Sequence, residues 1–365
     1  MKRVAVQIVT FNSEEDIIAC LKSVERQSYP VSEIIVIDNG SKDTTIQKVK
    51  SSLFSKEIVL IENHTNTGFT GGHNQAFQLS KSDYVLVLNP DVVLHPDYVY
   101  HLVHAMERDA RIGSATGKLY RDISENMHIS SSSYHPQNDS MHELKGQRVE
   151  QSMATGSREG KNSQGKENRV LDSTGLIMKK NRRAFDRGAG EMDRGQYDRK
   201  TEIFGVSGAA AMYRRQMIDD LSINGEFFDE TFFAYKEDVD AAWRAQLFGW
   251  KAIFVSEAIA THKRGWQGEK KRSEISLKIR KHSYINRYYT ILKNDSFLYM
   301  LLHLPVILFY EILSLGYAIL KEKELLSAWK DFSNNFSAMK NKRKWIKKYR
   351  KVPYSSVYRY FKGIW

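Results

Sequence analysis

The chain has 365 residues, 41% of them apolar, enough for one large domain with appendages and a substantial core. Its single cysteine, Cys20, excludes an internal disulfide and so permits a reducing compartment. The formal net charge of +12 is concentrated in the tail, where residues 321–365 hold thirteen Lys and Arg against three Asp and Glu.

No basic head, apolar run and small-residue cleavage pattern precedes the first apolar strand, residues 3–10, so a cytoplasmic protein is expected. Ser13 followed by Glu14, Glu15 and Asp16 opens a helix, a hydroxyl cap with acids that meet the helix dipole. Ile17, Ile18, Leu21 and Val24 keep helical spacing on one face. Residues 33–38 form a second strand, 39–43 a turn into a second helix, and 58–62 a third strand. Residues 68–74 read as a glycine-rich loop that leads into a helix to about 81. Residues 84–94 are an apolar, β-branched run broken by Asn89, Pro90 and Asp91, which reads as a buried parallel strand with polar groups at its carboxyl end.

This alternation predicts an α/β fold with a mostly parallel, doubly wound sheet. Ligands of such sheets bind outside the strand carboxyl ends. A carboxylate there can hold a divalent cation against a diphosphate. A solvated Asp after an Asn-Pro turn is the plain alternative.

A helix over 97–110 and a strand near 112–120 follow. Residues 121–168 are dominated by Ser, Gly, Gln, Asn, Lys and Glu and read as a mobile surface insertion. His128, His135 and His142 fall within it and read as solvated loop histidines. Order resumes over 170–179. Residues 204–213 form a small-residue strand, which permits close approach of backbone or ligand. A helix begins near Glu237, where Glu237 and Asp238 sit in the first turn and Asp240 and Arg244 are spaced to form an ion pair. His262 follows a strand over 252–255.

Four motifs occur in order: residues 8–12 (IVTFN), 34–41 (IIVIDNGS), 66–74 (NTGFTGGHN) and 88–91 (LNPD). Further on come 183–188, 205–214 and 232–240. Together they resemble inverting glycosyltransferases of family 2 with the GT-A nucleotide-sugar-binding fold, and look most like the bacterial rhamnosyltransferase-like branch. The resemblance covers about the first 290 residues outside the insertion.

It implies a glycosyltransferase domain over 1–272, with a nucleotide-binding part over 1–95 and an acceptor part over 170–272. It implies nucleotide contacts from Thr10, Asn12, Asp38, Asn66, Gly68, Asn74 and Asn89, with Asp38 accepting from the imide N–H of uracil or thymine. It implies a Mg²⁺ or Mn²⁺ site at Asp91 and His262. Asp91 stands in an Asn-Pro-Asp sequence where the family often has Asp-x-Asp. Asp238 becomes the general base, supported by Glu237, which orients it or contacts acceptor hydroxyls. Arg183, Asp186 and Arg187 border the acceptor or diphosphate, or are exposed loop charges.

Residues 273–365 form a helical, basic and apolar extension. Residues 297–320 are long enough to span a bilayer, but His303, Pro305 and Glu311 favour a helix hairpin or an in-plane anchor. A buried soluble helix is the alternative. The basic tail suits an anionic membrane surface. Without zinc-finger spacing or an RNA-binding aromatic signature, nucleic acid is not the expected partner.

The predicted activity is sugar transfer from dTDP-rhamnose or a UDP-hexose to a growing bacterial surface glycan or lipid-linked acceptor, at the inner face of the cell membrane. A nucleotidyltransferase of similar fold and a non-catalytic nucleotide-sugar-binding membrane protein are the alternatives.

Overall fold

A computed structural model describes residues 1–52, 54–122, 169–263 and 275–364. Most of the insertion, with His128, His135 and His142, lies outside the described residues, as does the expected boundary at 272. The elements in chain order are β1 (Val4–Thr10), α1 (Ile17–Glu25), β2 (Glu33–Asp38), α2 (Thr45–Ser51), β3 (Ile58–Glu62), α3 (Gly68–Leu79), β4 (Tyr84–Leu88), β5 (Val92–Leu94), α4 (Tyr98–Met106) and β6 (Ile112–Arg121). Then come β7 (Leu171–Ser173), β8 (Leu176–Met178), β9 (Ala184–Asp186), β10 (Glu202–Ile203), β11 (Ala210–Arg214), α5 (Arg215–Leu221), α6 (Glu237–Leu247) and β12 (Lys251–His262). The C-terminal helices are α7 (Leu277–Asn294), α8 (Phe297–Leu302), α9 (Leu304–Lys321), α10 (Ala328–Tyr349) and α11 (Tyr354–Tyr358).

The main sheet runs β10-β12-β6-β11-β4-β1-β2-β3. Its β4-β1-β2-β3 half is parallel, as apolar strands covered on both faces require. β11 enters antiparallel between β4 and β6. Two short strands carry the functional end: β5 pairs with β12, setting Val92 opposite His262, and β7 pairs with β6.

Several local expectations change. α1 starts one turn later than read, because residues 13–16 form a turn in which Ile17 N–H donates to the Ser13 carbonyl. Residues 68–74 are the opening turns of α3 rather than a loop. Their glycines serve close packing: a Cβ on Gly72 would lie 2.8 Å from Val9, and one on Gly68 would lie 2.3 Å from the Phe233 carbonyl oxygen. The strand read over 204–213 is ordered as β11 only from Ala210. Before it, Gly205 O accepts from Leu176 and Gly208 N–H turns to a side chain. The 170–179 stretch divides into β7 and β8 around Gly175, whose φ is +106°. His262 is the last residue of β12 rather than a residue beyond a short strand.

The C-terminal helices pack onto the sheet domain. Ile346, Val357, Tyr358 and Phe361 enter the same core as Trp243 of α6. A buried ionic network adds to this: Lys293 of α7 lies 2.6 Å from Asp229 and 2.8 Å from Asp240, and Lys342 of α10 lies 2.7 Å from Asp229. The expected Asp240–Arg244 pair forms at 2.9 Å, buried at both ends.

Pro305 sits in the first turn of α9, where its missing N–H costs nothing. α9 is the one helix among the described residues that is long and apolar enough to cross a membrane, and only 6% of it is buried. Glu311 at its middle accepts from Arg287 and Tyr288 of α7, each at 2.6 Å. One side of α9 is thereby fixed to the domain. Its other side exposes Leu308, Phe309, Ile312 and Leu320 beside Phe297, Leu298 and Leu302 of α8.

Candidate active site

The β5–β12 pairing brings Asp91 and His262 together. His262 Nε2 lies 3.4 Å from Asp91 Oδ1, and its Nδ1 lies 2.8 Å from Asp172 Oδ2 on β7. Burial works to lower the imidazole pKa, but hydrogen bonds to Asp172 and Asp91 outweigh it and raise it to about 9. With Nδ1 occupied by one carboxylate, Nε2 points toward the other, the arrangement found around metal-ligating histidines. Among the described residues no cluster of three or more His, Cys, Asp or Glu could hold a metal ion. Asp91 and His262 supply two hard or borderline donors, which fits a cation whose remaining ligands come from phosphate and water. Asn89 lies two residues before Asp91, half-buried, with its backbone N–H donating to Ala209 O at 2.9 Å.

The acid pair at the start of α6 meets the same strand entry. Gly208 N–H donates to Asp238 Oδ2 at 3.2 Å, one residue before the Ala209 that receives Asn89. Asn89 and Asp238 are therefore joined through the dipeptide 208–209. Burial raises the Asp238 pKa and the Asp186 charge adds to it. Burial, then the Asp238 charge, raises Glu237 to about 8. Two adjacent buried carboxyls pushed up together are candidates for proton transfer.

The loop that aims this pair is strained. Phe233, Tyr235 and Lys236 all have positive φ, at 61°, 72° and 70°. Each such residue costs on the order of 1 to 3 kcal/mol. Asn286 of α7 holds the loop: its Nδ2 donates to the carbonyls of Phe232, Ala234 and Tyr235 at 2.9, 2.9 and 2.8 Å. From the other side Thr70 N–H donates to the Phe233 carbonyl at 3.1 Å.

The expected nucleotide contacts divide. Thr10 and Asp38 stand at the carboxyl ends of β1 and β2 as read. Asp38, however, is fully buried and accepts from Gly40 N, Ser41 N, Thr10 Oγ1 and Ser41 Oγ. In this conformation it organises the 39–41 turn and has no lone pair left for a base. Asn12 is exposed, its Oδ1 accepting from Lys42 N at 2.8 Å. A cleft of about 440 Å³ opens beside it, but Glu14, Glu15, Asp16 and Asp43 line it and oppose a diphosphate.

Asn66 caps α3 by accepting from Gly68 N at 2.8 Å. Gly68 is packed under Phe233. Asn74 is buried and wholly committed to protein, donating to Phe228 O and Glu230 and accepting from Phe228 N, so its expected nucleotide contact is corrected to a role in bracing α3. Arg187 is likewise internal, its guanidinium donating to Thr174 and to Lys200 O.

Sequence reasoning missed Asp172, Lys236 and Asn286. The signal for Asp172 was a lone acid inside a short small-residue segment, residues 171–175. Lys236 was visible only as the residue before the acid pair. Asn286 carried no local signal, since its role depends on a loop 51 to 54 residues away.

A family model described as "Glycosyl transferase family 2" matches residues 5–222. Poly-beta-1,6-N-acetyl-D-glucosamine synthase of Staphylococcus aureus (strain COL) is 26% identical over 110 residues, which is 30% of this chain and 27% of that protein. The chain thus spans little over a quarter of the length of the curated relatives it matches. TarS 1-349 of S. aureus in complex with UDP-GlcNAc superposes with a TM-score of 0.53 and 16% identity, over 95% of this chain and 91% of that one. GalNAc-T7 with UDP, GalNAc and Mn²⁺ gives a TM-score of 0.54 at 14% identity, over 99% of this chain and 58% of that one. At such identities the likeness speaks for a shared fold.

Proposed function

The chain belongs to glycosyltransferase family 2, and from that premise we propose an inverting enzyme that moves rhamnose from dTDP-rhamnose, or a hexose from a UDP-sugar, to a bacterial surface glycan or lipid-linked saccharide. The observation that carries this reading is the junction at residues 208–209, where Gly208 donates to Asp238 and Ala209 receives Asn89. That junction supports a base and a diphosphate-facing turn acting at one site.

Asp238 takes the proton of the acceptor hydroxyl as its oxygen attacks the anomeric carbon. The bond from that carbon to the diphosphate breaks in the same displacement, and the nucleoside diphosphate leaves. Glu237 orients the base or meets acceptor hydroxyls. Asp91 and His262 would hold Mg²⁺ or Mn²⁺, whose charge offsets that of the leaving diphosphate. The exposed apolar faces of α8 and α9 and the basic α10 support attachment to the inner face of the membrane. The Glu311 contacts to α7 favour an in-plane anchor over a span.

Calorimetry with dTDP-rhamnose, UDP-galactose, UDP-N-acetylglucosamine and GDP-mannose, with and without Mn²⁺, tests the reading. One donor should bind, more tightly with metal. Folded protein that binds none of them overturns it.

A further inference from the structure

Between β8, β9 and α6 on one side and α7 and α9 on the other lies a cavity of about 700 Å³. Its lining has an uneven charge balance. Arg287 is answered by Glu311 at 2.6 Å, and Arg182 by Asp295 at 2.8 Å. Arg183 and Lys236 also line it, and among the described residues no carboxylate lies within ion-pair distance of either. Arg183 instead rests over the rings of Phe185 and Tyr310, at 4.4 and 5.2 Å from their centroids. Two half-buried cations in a partly aromatic lining, one of them resting on aromatic rings, suit an anion that brings its own apolar body.

The two ends of the cavity indicate how such a ligand would lie. At one end Lys236 directly precedes Glu237 and Asp238, and its charge acts on both. Phe185 in the wall is likewise followed by Asp186, whose charge reaches Asp238. At the other end Leu313 and Tyr317 of α9 line the cavity and are also 53% and 48% exposed. They continue onto the bare outer face formed by Ile312, Leu320 and α8. Lys236, the chain neighbour of the acid pair, and Leu313 and Tyr317, which reach the apolar surface, thus line one and the same cavity.

We propose that this cavity receives the phosphate of a lipid-linked saccharide acceptor, with Arg183 and Lys236 pairing the phosphate, the sugar reaching Asp238 and the apolar tail leaving across α9. The proposal rests on the glycosyltransferase reading above. It commits to an amphiphile because Arg183 rests on Phe185 and Tyr310, and Tyr284 and Tyr317 share the lining with both cations. A soluble oligosaccharide would use neither the cations nor the exposed helix.

The test uses the full chain and farnesyl phosphate as the probe, with farnesol and inorganic phosphate as controls, read by tryptophan fluorescence. Donor binding by calorimetry runs in parallel. Farnesyl phosphate should bind at least about tenfold more tightly than either control. Arg183→Gln and Lys236→Gln should each weaken it about tenfold. Both variants should keep the wild-type melting temperature. Equal binding of inorganic phosphate overturns the lipid, and equal binding of farnesol overturns the phosphate contact. If binding to phosphatidylglycerol vesicles alone is lost in the two variants, the cavity reads bilayer headgroups and the acceptor assignment fails. Absence of farnesyl phosphate binding in protein that binds a donor sinks this inference alone. Absence of donor binding sinks the reading beneath it.

Discussion

Asp172 Oδ2 lies 2.8 Å from Nδ1 of His262, on the side of the ring away from Asp91. That carboxylate fixes which nitrogen faces Asp91. Removing such a partner costs about 10- to 100-fold in metal affinity. Asp172→Asn should therefore raise the Mn²⁺ concentration needed to enhance donor binding by that factor, while metal-free donor binding stays as it was. A Mn²⁺ titration followed by calorimetry checks this. An unchanged midpoint would show that His262 needs no such orientation.

Burial and then Asp186 raise the pKa of the proposed base, Asp238. A base with a raised pKa is inactive until the pH climbs past it, so the acid limb of kcat/KM is displaced upward. Asp186→Asn removes a like charge, and the acid limb should shift to lower pH. A limb that stays in place, or moves up, would separate Asp186 from the base.

The ionic network under α6 should dominate acid stability. Burial alone would push Asp229 and Asp240 up. Lys293 with Lys342 in the first case, and Lys293 with Arg244 in the second, overcome it and hold both carboxyls below the ordinary range. Their folded pKa values lie below the unfolded ones. The stability they contribute is complete above about pH 4 and is lost as the pH falls further. Urea unfolding should show that decline below about pH 4, and a flat profile would contradict it. Lys293→Met leaves two buried carboxylates short of a partner and should cost about 3 to 5 kcal/mol.

Gly68 combines a φ of +77° with contact against the Phe233 carbonyl. Gly68→Ala should cost about 2 to 4 kcal/mol and lower kcat, since the residue it displaces begins the loop that aims the acid pair. Thermal melts together with steady-state kinetics test it. A wild-type melting temperature would mean that the loop yields freely.

Where chemistry and structure are local, the sequence was readable. Apolar runs bounded by turns placed β2 and β3 at the residues observed. Acids spaced for a helix start placed α6 at Glu237 and paired Asp240 with Arg244. Glycine misled the reading at 68–74, because it signals close packing as well as freedom, and only the partner Phe233, far along the chain, decides between them. Asn74 looked like a ligand for the same reason, its partners Phe228 and Glu230 being more than 150 residues away. Asp172 could not be found because its meaning depends on β7 and β5 meeting the end of the sheet formed by β6 and β12. In α9, Glu311 stood out in the sequence as an ionisable group within an apolar run, but the residues that receive it, Arg287 and Tyr288, came only with the fold.

The central claim is that Asp238 removes the acceptor proton. Its most direct test is Asp238→Asn, measured for donor affinity by calorimetry and for nucleoside diphosphate release from the bound donor. Donor affinity should be unchanged and turnover reduced by at least about 100-fold. Wild-type turnover in that variant would contradict it.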